Sequence, residues 1–111
     1  MNEQHVHARE ISPRTAKSLI EEGALLVDVR EPAEIAAQAY DVPEIITIPL
    51  GQLPARLAEI PRDRNLIIAC KSGGRSMQAT IFLMKHGYEQ IANLQGGIMQ
   101  WASLGLPVKG R

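Results

Sequence analysis

The chain has no surplus of charge: of its 111 residues, twelve Lys and Arg offset twelve Asp and Glu. No general field therefore draws it to nucleic acid or to an anionic membrane surface, and any preference for anions must be local. Long apolar runs are missing as well. Stretches such as Ala24–Val27 and Ile81–Met84 fall far short of the roughly 20 residues that cross a bilayer. Met1-Asn2-Glu3-Gln4-His5 has neither the basic start nor the apolar stretch of a secretory signal, so the cytoplasm is the expected location. Repeats, linkers and low-complexity tracts are absent, and an apolar fraction of 45% over this length implies one packed domain. His5 and His7 alternate as on one face of a strand, but two imidazoles make a weak metal site, and they are expected to be solvated. Cysteine is scarcest. With Cys70 alone, an internal disulfide is excluded, which leaves a buried small hydrophobe, a metal ligand or a reactive thiol.

What is present is an alternation of strand and helix signals. Residues 1–8 are polar and unpatterned and are expected to be a flexible lead into a short edge strand near Glu10-Ile11, with the domain proper over 9–111. Ser12-Pro13 opens a helix with a capping hydroxyl and a proline at the first turn, and Gly23 closes it. The nearly continuous apolar run Ala24–Val29, broken only by Asp28, predicts a strand covered on both faces. Glu31-Pro32-Ala33-Glu34 begins a second helix that is expected to end near Tyr40. Ile45–Ile48, rich in β-branched residues and stopped by Pro49, predicts a third strand, and Leu50–Glu59 a short helix. Leu66–Ala69 is the most apolar strand candidate and delivers the chain to Cys70. A helix is expected over Ser76–His86, a strand over Ile91–Leu94, and a last helix over Ile98–Leu104 that presents Met99 or Trp101 to the core. Five strands alternating with helices imply a three-layer α/β domain with a central, mainly parallel sheet.

In such sheets ligands bind at the carboxyl ends of the strands, which is where Cys70 falls. Gly73 and Gly74 tolerate backbone angles that let several consecutive N–H groups point inward as an anion-binding nest. A helix amino terminus and nearby cations lower a cysteine pKa from about 8.5 toward the neutral range. Lys71, Arg75 and the helix from Ser76 offer both causes, with no histidine partner needed. A core cysteine needs no following run of Lys71, Ser72, Gly73, Gly74, Arg75 and Ser76, whose donors all suit an anionic sulfur or oxyanion. Arg75 has a second use, as a side chain bonding loop carbonyls and holding the nest shut.

Asp28-Val29-Arg30-Glu31 after a strand, the loop from Cys70 to Ser76, and Leu94-Gln95-Gly96-Gly97-Ile98 followed by Trp101 together resemble the single-domain rhodanese family over about Ile11 to Val108. The resemblance implies the rhodanese α/β fold and a cysteine that takes a sulfane sulfur from a donor such as thiosulfate and passes it to a thiophilic acceptor, cyanide, a thiol or a protein. Carried over by position, Cys70 matches the persulfide-forming cysteine and Lys71 to Arg75 the loop around the sulfur, with Ser76 starting the supporting helix. Asp28, Arg30, Gly96, Gly97 and Trp101 match supporting positions. One segment departs: where the family commonly has Gly-His-Ile-Pro-Gly-Ala, this chain has Ala39-Tyr40-Asp41-Val42-Pro43-Glu44-Ile45, which implies a changed turn at the rim. No metal or organic cofactor is called for. Two other functions remain on the table. One is a carrier or regulatory module that docks a single protein partner. The other is a cysteine phosphatase or arsenate reductase, disfavoured because four residues rather than five separate Cys70 from Arg75.

Overall fold

The computed structural model describes residues 7–110. Five parallel strands form the central sheet in the order β1-β6-β5-β2-β4, with β1 at Glu10–Ile11, β2 at Leu25–Asp28, β4 at Ile45–Thr47, β5 at Leu66–Ala69 and β6 at Ile91–Leu94. The three inner strands are buried along their whole length, as their apolar runs require when helices cover both faces. Side chains alternate across β5: Leu66 and Ile68 face a core with Leu83 and Ala79, whereas Ile67 and Ala69 face a second core with Ala16, Leu26 and Trp101. Helix α3, Gly74–Lys85, covers the first face. Helices α1, Pro13–Glu21, and α4, Gly97–Ser103, cover the second. Cys70 extends the first set, so its side chain lies on the α3 side of the sheet. Among the described residues no helix is long and apolar enough to cross a membrane.

Several expectations change in detail. No helix spans Leu50–Glu59; two short 3₁₀ turns stand there, Leu50–Gln52 and Leu57–Glu59. Pro54 has no N–H to give the Leu50 carbonyl, which instead accepts from Leu53. Helix α2, Pro32–Ala37, stops short of Tyr40, because Gln38 is extended and Ala39–Tyr40 (β3) pairs antiparallel with Val108–Lys109 (β7), a two-stranded ribbon that local pattern did not reveal. Helix α3 begins two residues early, at Gly74, with Gly73 as its cap in a left-handed conformation (φ 108°) that only glycine adopts without strain. Met99 is 58% exposed, and Trp101 together with Ile98 fills the core from α4, the Trp101 Nε1 donating to the Pro107 carbonyl at 2.7 Å. His7 is exposed, as expected, whereas His5 lies, with the rest of residues 1–6, outside the described residues.

This placement of α4 has a direct thermodynamic consequence. In urea titrations Trp101→Ala is expected to cost about 3–5 kcal/mol, and Met99→Ala less than about 0.5 kcal/mol. Equal losses at the two positions would contradict it.

Candidate active site

Strand β5 is the middle strand of the sheet, and the chain leaves it at Cys70 to turn within four residues into α3. The turn wraps the sulfur. Cys70 Sγ accepts the Gly73 N–H at 3.1 Å, the Ser76 N–H at 3.3 Å and the Ser76 hydroxyl at 3.3 Å, while the residue is 1% exposed. Burial pushes the thiol pKa up. The Ser76 hydroxyl and the amides of Ser76, Gly73 and Ser72 outweigh it, so the thiol lies below its ordinary value. The largest causes that lower it are hydrogen bonds, with the charge of Arg75 acting on it more weakly, and the Lys71 side chain is exposed to solvent.

The outer side of the loop is braced by α4. The Ile98 N–H donates to the Cys70 carbonyl at 3.0 Å and the Met99 N–H to the Lys71 carbonyl at 3.1 Å. A trans peptide carries its C=O and N–H on opposite sides, so holding the Lys71 carbonyl outward turns the Ser72 N–H inward to the sulfur. Helix α4 reaches this close only through Gly97, where a Cβ would stand 2.3 Å from the Lys71 carbonyl oxygen. Two further groups hold the same loop: the Tyr40 hydroxyl donates to the Cys70 carbonyl at 2.7 Å, and Asn93 Nδ2 donates to the Gly73 carbonyl at 3.3 Å and to Glu10 at 2.9 Å. Among the described residues, the amides of Lys71, Gly74 and Arg75 make no hydrogen bond to the protein.

Arg75 does not close the nest on loop carbonyls. Its guanidinium forms a bidentate pair with Glu34 of α2 at 2.7 and 2.8 Å. That pair, with the hydrogen bond from the Glu31 N–H, holds the Glu34 carboxyl at about 2, so the bridge stays ionic at any pH near neutral. Behind it, Arg30 fastens the end of α2 to the sheet through buried Asp28, with Nε and Nη2 on the carboxylate at 3.0 and 2.8 Å and Nη1 on the Gln38 carbonyl at 2.9 Å.

The predicted residues are therefore brought together unequally. Ser72, Gly73 and Ser76 present donors to Cys70, Gly74 begins the helix, Lys71 supplies an outward carbonyl and an exposed ammonium, and Arg75 serves the scaffold. Tyr40, Glu34 and Asn93 were not singled out. Each lies at least 20 positions away from the loop residue it holds, and no local motif announces such a contact. No group of three or more potential metal ligands occurs among the described residues.

A lone buried cysteine, ringed by amides at the carboxyl end of a central parallel strand, defines an α/β domain built around a hydrogen-bonded thiol. The chain belongs to the rhodanese family: the model of the rhodanese-like domain matches residues 12–104. It is 44% identical to a sulfurtransferase of Allochromatium vinosum over 103 residues, covering 93% of this chain and 92% of that one. Among solved structures it is similar to a rhodanese-related protein from Thermoplasma volcanium (TM-score 0.83, 31% identity, covering 91% of this chain and 97% of that one). A polysulfide-sulfur transferase from Wolinella succinogenes is comparably close (TM-score 0.83, 30% identity, 94% and 80%).

Removing one donor tests the electrostatics. Ser76→Ala should raise the thiol pKa by about one unit, the worth of one hydrogen bond to a charged acceptor. The pH dependence of iodoacetamide alkylation measures it, and an unshifted titration would count against the hydroxyl as a donor to the thiolate.

Proposed function

We propose that the protein is a sulfurtransferase that carries a sulfane sulfur on Cys70 as a persulfide. The observation that supports this most is the set of hydrogen bonds from Gly73 and Ser76 to a buried Cys70 sulfur. A thiolate held that way is a nucleophile without a histidine base. In the first half-reaction it attacks the outer sulfur of an anionic donor such as thiosulfate; the S–S bond of the donor breaks, sulfite leaves with the electron pair, and Cys70 becomes a persulfide anion. In the second, a cyanide ion, a thiolate or a protein nucleophile attacks the terminal sulfur, and the Cys70 thiolate leaves. No net oxidation occurs and no cofactor takes part.

The nest suits both states. Amides of Lys71, Gly74 and Arg75 remain for the terminal sulfur or for a donor oxygen, and the exposed Lys71 ammonium can meet an anionic donor at the rim. Near-complete enclosure favours a donor whose reactive atom leads the rest of the molecule, as the outer sulfur of thiosulfate or of a polysulfide does. A lone free thiol also suits a reducing compartment such as the cytoplasm. The phosphatase alternative loses ground because its arginine must hold the oxyanion, whereas the fork of Arg75 is filled by Glu34. With no second cysteine, the sulfur must leave to another molecule, which leaves turnover or a dedicated protein acceptor as the two forms of the same chemistry.

Intact-mass measurement after mixing with thiosulfate provides the test. The wild type is expected to gain one sulfur atom and to lose it on addition of cyanide, and Cys70→Ser to gain none. A wild type that stays unmodified by thiosulfate and by polysulfide, or an adduct that survives in the variant, would overturn the proposal.

A further inference from the structure

Tyr40 lies on the segment where the sequence departs from the common family pattern, and the sulfur chemistry above makes no use of it. It is nevertheless among the most firmly held side chains of the molecule. Its ring stands edge-on to Trp101, with centroids 5.6 Å apart and planes at 75°, and the Arg30 guanidinium carbon is 5.4 Å from the ring centroid. Its backbone is set opposite Val108 in the β3–β7 ribbon. Its hydroxyl makes one hydrogen bond, to the Cys70 carbonyl, at 2.7 Å. Burial and then the negative charge of Asp28 push the phenol pKa up, so the group stays protonated and can only donate in that bond.

The Cys70 carbonyl thus has two donors on the same outer side, Tyr40 and the Ile98 N–H. The peptide that owns this carbonyl also owns the Lys71 N–H, on its opposite edge. Were that peptide free to rotate, a carbonyl dipole could swing toward the sulfur and oppose its negative charge; held as it is, the edge away from Tyr40 and α4 is a donor. We infer that Tyr40 is a positioning residue for the sulfur site: through the Cys70 carbonyl its hydroxyl fixes the Cys70–Lys71 peptide so that the first amide of the loop serves the charge on Cys70. The inference rests on Cys70 working as an anionic sulfur, and it adds a residue outside the loop to the machinery that sustains that charge.

Alkylation by iodoacetamide as a function of pH tests it. Tyr40→Phe should raise the thiol pKa by about half a unit to one unit and slow alkylation near neutral pH about threefold to tenfold, with the wild-type rate regained well above both pKa values. Tyr88→Phe is the control. The Tyr88 hydroxyl donates to the Leu57 and Ile60 carbonyls, so its loss removes a buried bond without touching the loop. An unshifted thiol titration in Tyr40→Phe, or an equal shift in Tyr88→Phe, would overturn the inference. A second measurement does not disturb the bond by truncation. In the Tyr88→Phe protein Tyr40 is the only tyrosine, so 3-fluorotyrosine labels that position alone. Its ¹⁹F resonance should move with the midpoint of Cys70 ionisation and stay still in Cys70→Ser; a resonance that ignores the ionisation of Cys70 contradicts the coupling. Neither experiment uses a sulfur donor, so its failure is separate from a failure to form the persulfide.

Discussion

A sulfur anion withdrawn from water loses several kcal/mol of hydration, and it persists only where hydrogen-bond donors replace what was lost. Cys70 meets that condition, at 1% exposure with three donor groups within 3.3 Å of its sulfur. Hydrogen bonds to a charged acceptor contribute about 1.5–3 kcal/mol each. Three of them can exceed the burial cost, in agreement with a thiol whose pKa lies below its ordinary value despite its enclosure. The remainder of the site exists to keep those donors aimed.

That aim is set from outside the loop. A turn of glycines and small polar residues has little stiffness of its own, since Gly73 at φ 108° has no side chain to lock it. The stiffness is imported: α4 holds two loop carbonyls by its first amides, Gly97 permits its close approach, Asn93 holds the Gly73 carbonyl, and Arg75 is anchored to α2 by Glu34. The contacts of α4 and Asn93 fall on loop carbonyls and not on the sulfur. By the planarity of the peptide, a carbonyl held outward is an N–H turned inward. The scaffold therefore shapes the electrostatics of the sulfur without touching it, and the two cationic side chains of the loop, Lys71 and Arg75, are respectively peripheral and committed to α2.

Much of this was legible from residue order. A buried apolar strand ending in cysteine, then two glycines and a helix, fixes the location of the sulfur, and the alternation of strand and helix signals fixes the layered parallel sheet. The errors fall where distant contacts outrank local preference. Leu50–Glu59 looked helical by composition until Pro54 removed one of the bonds a helix needs. The end of α2 is decided by pairing of Tyr40 with Val108, some 70 residues on, and the partner of Arg75 by a carboxylate 41 positions away. From its neighbours Arg75 reads as a cation for the bound anion or as a clamp on loop carbonyls, whereas its partner depends on where α2 comes to rest. Trp101 rather than Met99 faces inward for a related reason: the helical phase of a seven-residue segment is set by what it packs on.

The central claim is that hydrogen bonds from the Ser76 hydroxyl and the backbone amides of the Cys70 loop, more than a cationic side chain, sustain the charge on the sulfur. ¹⁵N-resolved NMR of the reduced wild type through a pH titration tests it most directly. The amide resonances of Ser72, Gly73 and Ser76 should shift together, with one midpoint clearly below about 8.5, the value of an unperturbed cysteine, and should lose that transition in Cys70→Ser. Amides that stay still while the thiol ionises, or a midpoint at or above the unperturbed value, would contradict the account.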